Sequence, residues 1–219
     1  MKKFLIMALG LLMSLPVCAE SLSAMMLPNP PRKAPLGFMQ ALQERKSCRD
    51  FSERPLSDVD LAGILWAADG INRKEEKKRT APSAMNRQEI DLYVLLPHAA
   101  YKYEAEMNAL NPVAEGDFRP LAAGKQEFVN KAPVVVVIAA DMDRFGSNDE
   151  QSRMMAAVDA GIVSQNINLF CAANGLGTVT RASMDSEALS KALGLNPGQI
   201  LILNNPVGVP VDEDDNDLE

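Results

Sequence analysis

The sequence predicts an α+β domain, a mixed central sheet flanked by helices, and three observations carry that reading. Ile90, Leu92, Val94 and Leu96 alternate with other residues at the period of a strand. Val134 to Ile138, following Pro133, is a continuous β-branched run of the kind buried on both faces of a sheet. From about Gln151 to Asn174 the chain is dense in Ala and other apolar residues, which predicts a long helix buried on most of its faces. Helices packed on such a sheet form one layered core, and the apolar surface of the long helix exceeds what one sheet can cover, which predicts a homodimer.

The elements follow in order. Lys2 and Lys3 precede an apolar run from Phe4 to Leu15 and then Pro16-Val17-Cys18-Ala19, the pattern of a secretory signal peptide cleaved after Ala19. The run falls short of the roughly 20 residues that a membrane span needs. Export, with a periplasmic destination, is therefore expected; acylation of Cys18 ranks second, because Val17 is bulky for a residue before a lipidated cysteine. Removing the first 19 of 219 residues leaves 200, enough for one domain with a substantial core. The 22 Lys and Arg against 29 Asp and Glu give −7, and loss of Lys2 and Lys3 gives −9, which argues against a nucleic-acid partner. Residues 20–35, with Pro28, Pro30, Pro31 and Pro35, read as an extended leader.

The domain itself spans 36–211. Leu36, Met39 and Leu42 predict a helix that continues into the Arg45 region, and Ser57 caps a second one closed by Asp69-Gly70. Lys74 to Arg79 reads as a solvated loop. After the strand from Ile90, Tyr101 to Tyr103 and Leu110 to Val113 suggest a hairpin around Glu104 to Asn108, and a short helix is expected near Gly124 to Asn130. Asn174-Gly175 stops the long helix, Ser186 to Leu193 forms a short one and Gln199 to Leu203 a strand. Residues 212–219 hold six carboxylates and read as a disordered acidic tail. Cys48 and Cys171 both fall in segments that read as helix, so two separate thiols are favoured over one bridge.

Arg45-Lys46-Ser47-Cys48-Arg49 crowds three cations and a hydroxyl into five residues. On a helix, Arg45 and Arg49 would lie one turn apart and could grip one phosphate together; a basic helix end that is merely solvated is the plainer alternative. With Pro82-Ser83-Ala84-Met85-Asn86-Arg87-Gln88 and Gly175-Leu176-Gly177-Thr178, in that order and spacing, the chain resembles the nitroreductase family of FMN-dependent oxidoreductases. Tyr101-Lys102-Tyr103, Gly116-Asp117-Phe118-Arg119, Ala132-Pro133, Asp159-Ala160-Gly161 and Pro206-Val207-Gly208 add to the likeness, which looks closest to the branch containing the SagB-type dehydrogenases.

The resemblance implies an intertwined homodimer with two FMN sites at its interface and NAD(P)H as an electron donor. It assigns Arg45, Lys46, Ser47 and Arg49 to the phosphate and ribityl chain, and Pro82, Ser83, Ala84 and Asn86 to a loop that reaches the flavin of the partner subunit. Gln126 would lie near the pyrimidine edge. Thr180, Arg181, Ala182 and Ser183 would cover the flavin face, with the amides of Ala182 and Ser183 directed at N5 and O4. No catalytic acid or base and no metal ligand is implied. One departure stands out: Pro206 to Pro210 runs into the acidic tail, where family members usually carry a cation that completes the phosphate clamp. An exported flavin-binding or cofactor-free protein of the same fold without turnover is the alternative, and a SagB-like dehydrogenase a further one. His98, the lone histidine, receives no role.

Overall fold

The structure is a computed structural model that describes residues 22–211. The segment read as a signal peptide, Cys18 within it and the stretch read as an acidic tail lie outside the described residues. In chain order the elements are β1 (Met25–Met26), α1 (Phe38–Glu44), α2 (Asp58–Asp69), β2 (Ile71–Arg73), β3 (Lys78–Arg79), β4 (Ile90–Leu95), β5 (Ala99–Glu104), β6 (Ala109–Glu115), α3 (Arg119–Ala123), β7 (Val134–Asp141), α4 (Met142–Phe145), α5 (Glu150–Ala173), β8 (Gly177–Thr178), α6 (Ser186–Ala192) and β9 (Gln199–Gly208). Single 3-10 turns occupy Ala84–Asn86 and Glu127–Lys131. Among the described residues no helix is long and apolar enough to cross a membrane.

Seven strands form one sheet in the order β1-β6-β5-β4-β7-β9-β8. The α+β class holds, with one correction: the sheet expected to be mixed is antiparallel at every pairing, because β4, β5 and β6 follow one another as a meander and β7 and β9 add to its other side in alternating directions. The two-residue period sorts the core. Ile90, Leu92 and Val94 of β4 and Val134, Val136 and Ile138 of β7 face α2 and α5, meeting Leu61, Ile64, Leu65, Val163 and Ile167. Tyr93, Leu95, Val135 and Val137 face the other way, toward Ala122, Ala123, Val129 and Leu189. Each large aliphatic side chain buried here contributes about 1.5–3 kcal/mol.

Ser57 caps α2 as expected, its hydroxyl accepting the Asp60 amide, and Gly70 follows its last residue. Two local readings need correction. The residues from Lys74 to Arg79 are not simply a solvated loop: β2 and β3 pair, and Arg79 turns inward to Asp69 at 3.0 Å. The first helix stops at Glu44, so Arg45 and Arg49 do not share a helix face and Cys48 is not helical. The backbone beyond Glu44 is claimed by the sheet edge instead. The Cys48 amide donates to Thr178 O, Val211 to Asp50 O and Ser52 to Val209 O, the alternating spacing of an extended strand. The C-terminal strand outruns its prediction by five residues, because Asn204 and Asn205 are buried with partners that their polarity did not announce.

Candidate functional site

The Arg45 segment lies on the sheet edge beside Gly177-Thr178, so two of the three motifs meet in one chain. Gly177 is required there: a Cβ would sit 2.5 Å from Cys48 Sγ and 2.9 Å from its Cβ. Lys46 and Cys48 line a cleft of about 500 Å³ whose floor includes Cys171, Leu176 and Gly177. Alternation along an extended segment puts Ser47 and Arg49 on the opposite side from Cys48. Arg45 is half-buried and Arg49 exposed, and neither has an ion-pair partner among the described residues. Free guanidinium forks on ordered backbone are suited to an anionic group. Both cysteines are free thiols, and burial pushes the Cys171 thiol well up.

The third motif is built differently. In the loop around Pro82 to Gln88, Met85, Asn86 and Gln88 have φ of 51°, 54° and 51°, the left-handed region that costs a residue with a Cβ about 1 kcal/mol or more. Polar anchors hold it. The Ala84 amide donates to Asp159 Oδ2 at 2.7 Å, the Gln88 amide to Ser83 Oγ at 2.8 Å, and Arg79 Nε to Gln88 Oε1 at 3.2 Å. Asn86 Oδ1 accepts from the side-chain amide Nε2 of Gln88 at 3.3 Å. Met85 is 73% exposed, so the loop presents its tip outward.

The loop after Gly177 carries Thr180 to Ser183. Arg181 is buried, and its guanidinium donates inward: to Gln126 Oε1 at 2.8 Å, to the carbonyls of Ala122 and Ala123 at 3.0 Å each, and to Asn204 Oδ1. Burial lowers its pKa. The side chain assigned by resemblance to a ligand is thus placed as the anchor of its loop. Gln126 keeps only its amide nitrogen for other partners. The Thr180 hydroxyl is likewise engaged, with Ser164 at 2.7 Å and Asn168 at 2.8 Å. Ala182 and Ser183 are exposed, and neither amide has an acceptor among the described residues. Ser183 and Gln126 open together onto a cleft of about 720 Å³, also lined by Lys125 and Met184.

Sequence reasoning missed Ser164, Asn204, Asn205 and Glu89. Ser164 and Asn168, one turn apart in the helix on the face it shares with Val163 and Ile167, carried the available signal. Asn205 accepts from Ser164 at 2.7 Å and donates to Thr178 at 3.3 Å, tying α5, β8 and β9 together beneath the loop.

The three motifs do not assemble within one chain. Asp159 holds the Pro82 loop, while Cys171 backs the cleft of Lys46 and Cys48, and twelve residues of helix separate these anchors by about 18 Å. The outer face of α5 exposes Met154 (59%) and Val158 (50%), with Ala157, Gly161 and Gln165 also exposed at helical spacing. Phe38, Met39 and Leu42 of α1 are exposed as well. Large apolar groups collected in this way mark an interaction surface.

Comparison with known proteins identifies the family and the fold. The model of the Nitroreductase family matches residues 42–209. A crystal structure from Ralstonia eutropha, assigned by name to the nitroreductases, is 33% identical with a TM-score of 0.83, covering 89% of this chain and 92% of that one. A Methanocaldococcus jannaschii protein of the same assignment is 29% identical over 180 residues, 76% of this chain and 88% of the relative. The NADPH:FMN oxidoreductase of Vibrio harveyi shares the fold at 20% identity and a TM-score of 0.61, over 80% of this chain and 69% of that one.

Proposed function

Because the chain belongs to the Nitroreductase family, whose members are oxidoreductases, we propose that it is an FMN-dependent enzyme acting as a homodimer. It would move hydride between a reduced nicotinamide, or another donor, and a small organic acceptor. The observation that carries this reading is the divided site. One chain holds a cationic edge at Arg45 to Arg49 and, about 18 Å away along α5, an outward-facing polar loop; a two-fold axis across the exposed apolar face of α5 would bring each edge to the other chain's loop. The name of the Vibrio harveyi relative, which pairs NADPH with FMN, supports the choice of cofactors.

The donors present fit FMN. Arg45, Arg49 and Ser47 would hold the phosphate, with Lys46 beside them. The amides of Ala182 and Ser183, which have no acceptor among the described residues, would donate to the ring edge where negative charge accumulates. Asn86 keeps its amide nitrogen for the partner's site, with Pro82, Ser83 and Ala84 framing it, and Gln126 offers its remaining amide donor near Ser183. FMN, when bound, supplies the N5 position that accepts and releases hydride. No side-chain acid or base is needed by the chain, whose work is to orient the stack and tune the ring. The leader pattern supports export to the periplasm as the place of action.

The absorbance of purified protein at about 450 nm, followed by anaerobic bleaching with NADH or NADPH, tests the proposal. A flavin band that NAD(P)H bleaches is expected. A bound flavin that only another donor reduces would favour a SagB-like dehydrogenase. No flavin after incubation with FMN would favour a fold kept without turnover. One observation points that way: Asn205 to Val211 brings no cation to the clamp.

A further inference from the structure

Glu89 is fully shielded from solvent, and neither of its carboxylate oxygens has a hydrogen-bond donor among the described residues. Its carboxyl group lies within hydrogen-bonding reach of Asp159, which is 3% exposed and whose Oδ2 accepts the Ala84 amide. Two ionised carboxylates would repel each other there without water to screen them, so such a contact is favourable only when one of the two holds a proton. The surrounding charges do not supply another donor. Arg144 of α4 directs its guanidinium to the Glu89 backbone carbonyl at 3.0 Å and to Asp91 at 2.6 Å. Asp91, two residues further on in β4, also takes Lys102 at 2.9 Å. Asp69 of α2 pairs with Arg79.

We propose that Glu89 keeps its proton in the folded protein and donates it to Asp159, making this carboxyl pair the positioning device of the Pro82–Asn86 loop. The loop needs one. Met85, Asn86 and Gln88 sit in left-handed backbone, a conformation that persists only where the surroundings over-determine it. The Ala84 amide enters that strained stretch, and its acceptor is Asp159. While Glu89 is protonated, Asp159 has a donor on one oxygen and the Ala84 amide on the other. Once both carboxyls ionise, their repulsion works against the grip on Ala84.

Burial, reinforced by Asp159, raises Glu89 from its ordinary 4.5 to about 7. If opening the loop returns Glu89 to water, the closed form holds the extra proton between those two values. Stability of the closed loop is then greatest below about 4.5, falls as pH rises toward 7 and levels off above it. Asp69 is raised to about 7 by its own burial and titrates in the same window, so the difference between the natural chain and a Glu89 variant is the informative quantity.

The proposal rests on the functional reading only for what the loop serves, and its test needs no flavin. Hydrogen exchange of the peptide covering residues 80–90, followed by mass spectrometry on the FMN-free protein, gives its protection factor against pH. In the natural chain protection should fall by up to tenfold per pH unit between about 4.5 and 7. In Glu89→Gln, whose amide donates to Asp159 at every pH, protection should stay high and lose most of that slope. Asp159→Asn, which can accept from Ala84 and donate to an ionised Glu89, should behave in the same way. Glu89→Ala should lower protection throughout. An unchanged slope in Glu89→Gln overturns the proposal, as does loss of the loop's protection in both amide variants while the sheet peptides stay protected. If FMN fails to bind while these profiles hold, the functional reading falls and the positioning device stands.

Discussion

The Arg45–Asp50 segment and the Pro82–Gln88 loop, two of the parts proposed to face the flavin, are held by opposite means. The first is ordered largely by backbone: the Cys48 amide and the Asp50 carbonyl complete a sheet edge with Thr178 and Val211, while the guanidinium groups of Arg45 and Arg49 have no ion-pair partner among the described residues. The second has little regular structure, carries three left-handed residues and depends on buried side chains, Asp159 foremost. Side-chain changes in the first should therefore alter binding and spare the fold. Equivalent changes beneath the second should alter the shape of the site itself.

The largest effect is expected beneath the covering loop. Arg181→Leu would leave two carbonyls and two side-chain amide oxygens without their donor, and urea denaturation should show a loss of about 3 kcal/mol. A loss below about 0.5 kcal/mol would place Arg181 among ligand residues after all. Next come the cations. Arg45→Ala and Arg49→Ala should each weaken FMN binding by about 2 kcal/mol, through loss of a charge-assisted bond, with the urea midpoint nearly unchanged. Fluorescence titration checks the first figure, and unaltered affinity in both variants would remove the clamp from the proposed site. Ser83→Ala should cost about 1 kcal/mol, because the Gln88 amide loses its acceptor, and the cost should appear as reduced exchange protection around residue 88.

The smallest effect is the most direct test of shared ownership. In mixed dimers of Arg45→Ala and Asn86→Ala chains, one site carries both defects and the other neither, so isolated heterodimers should recover up to half of the normal flavin content. Recovery no better than in either mutant homodimer would mean that the two residues do not serve one site. It would also undo the contrast drawn between the segments, since each would then work within its own chain.

The sequence by itself determined the layers of this protein, because period and composition are local. The β-branched run from Val134 could lie only in a sheet covered on both faces, and Ser57 and Gly70 mark the ends of α2 within the chain's own hydrogen bonding. The order and spacing of the Arg45, Pro82 and Gly177 motifs were enough to name a family. What the tertiary structure decided are matters of partnership, which no local pattern encodes. Whether Arg45 continues a helix or joins a sheet edge depended on whether Thr178 and Val209 would lie beside it, more than 120 residues away. Arg181 reads as a ligand in the sequence and becomes an anchor once Ala122, Ala123 and Asn204 surround it. Glu89 gives no sign in the sequence of being more than the polar start of a strand; only packing against Asp159 removes its water and leaves two acids facing each other, since desolvation belongs to the folded volume and to no single residue.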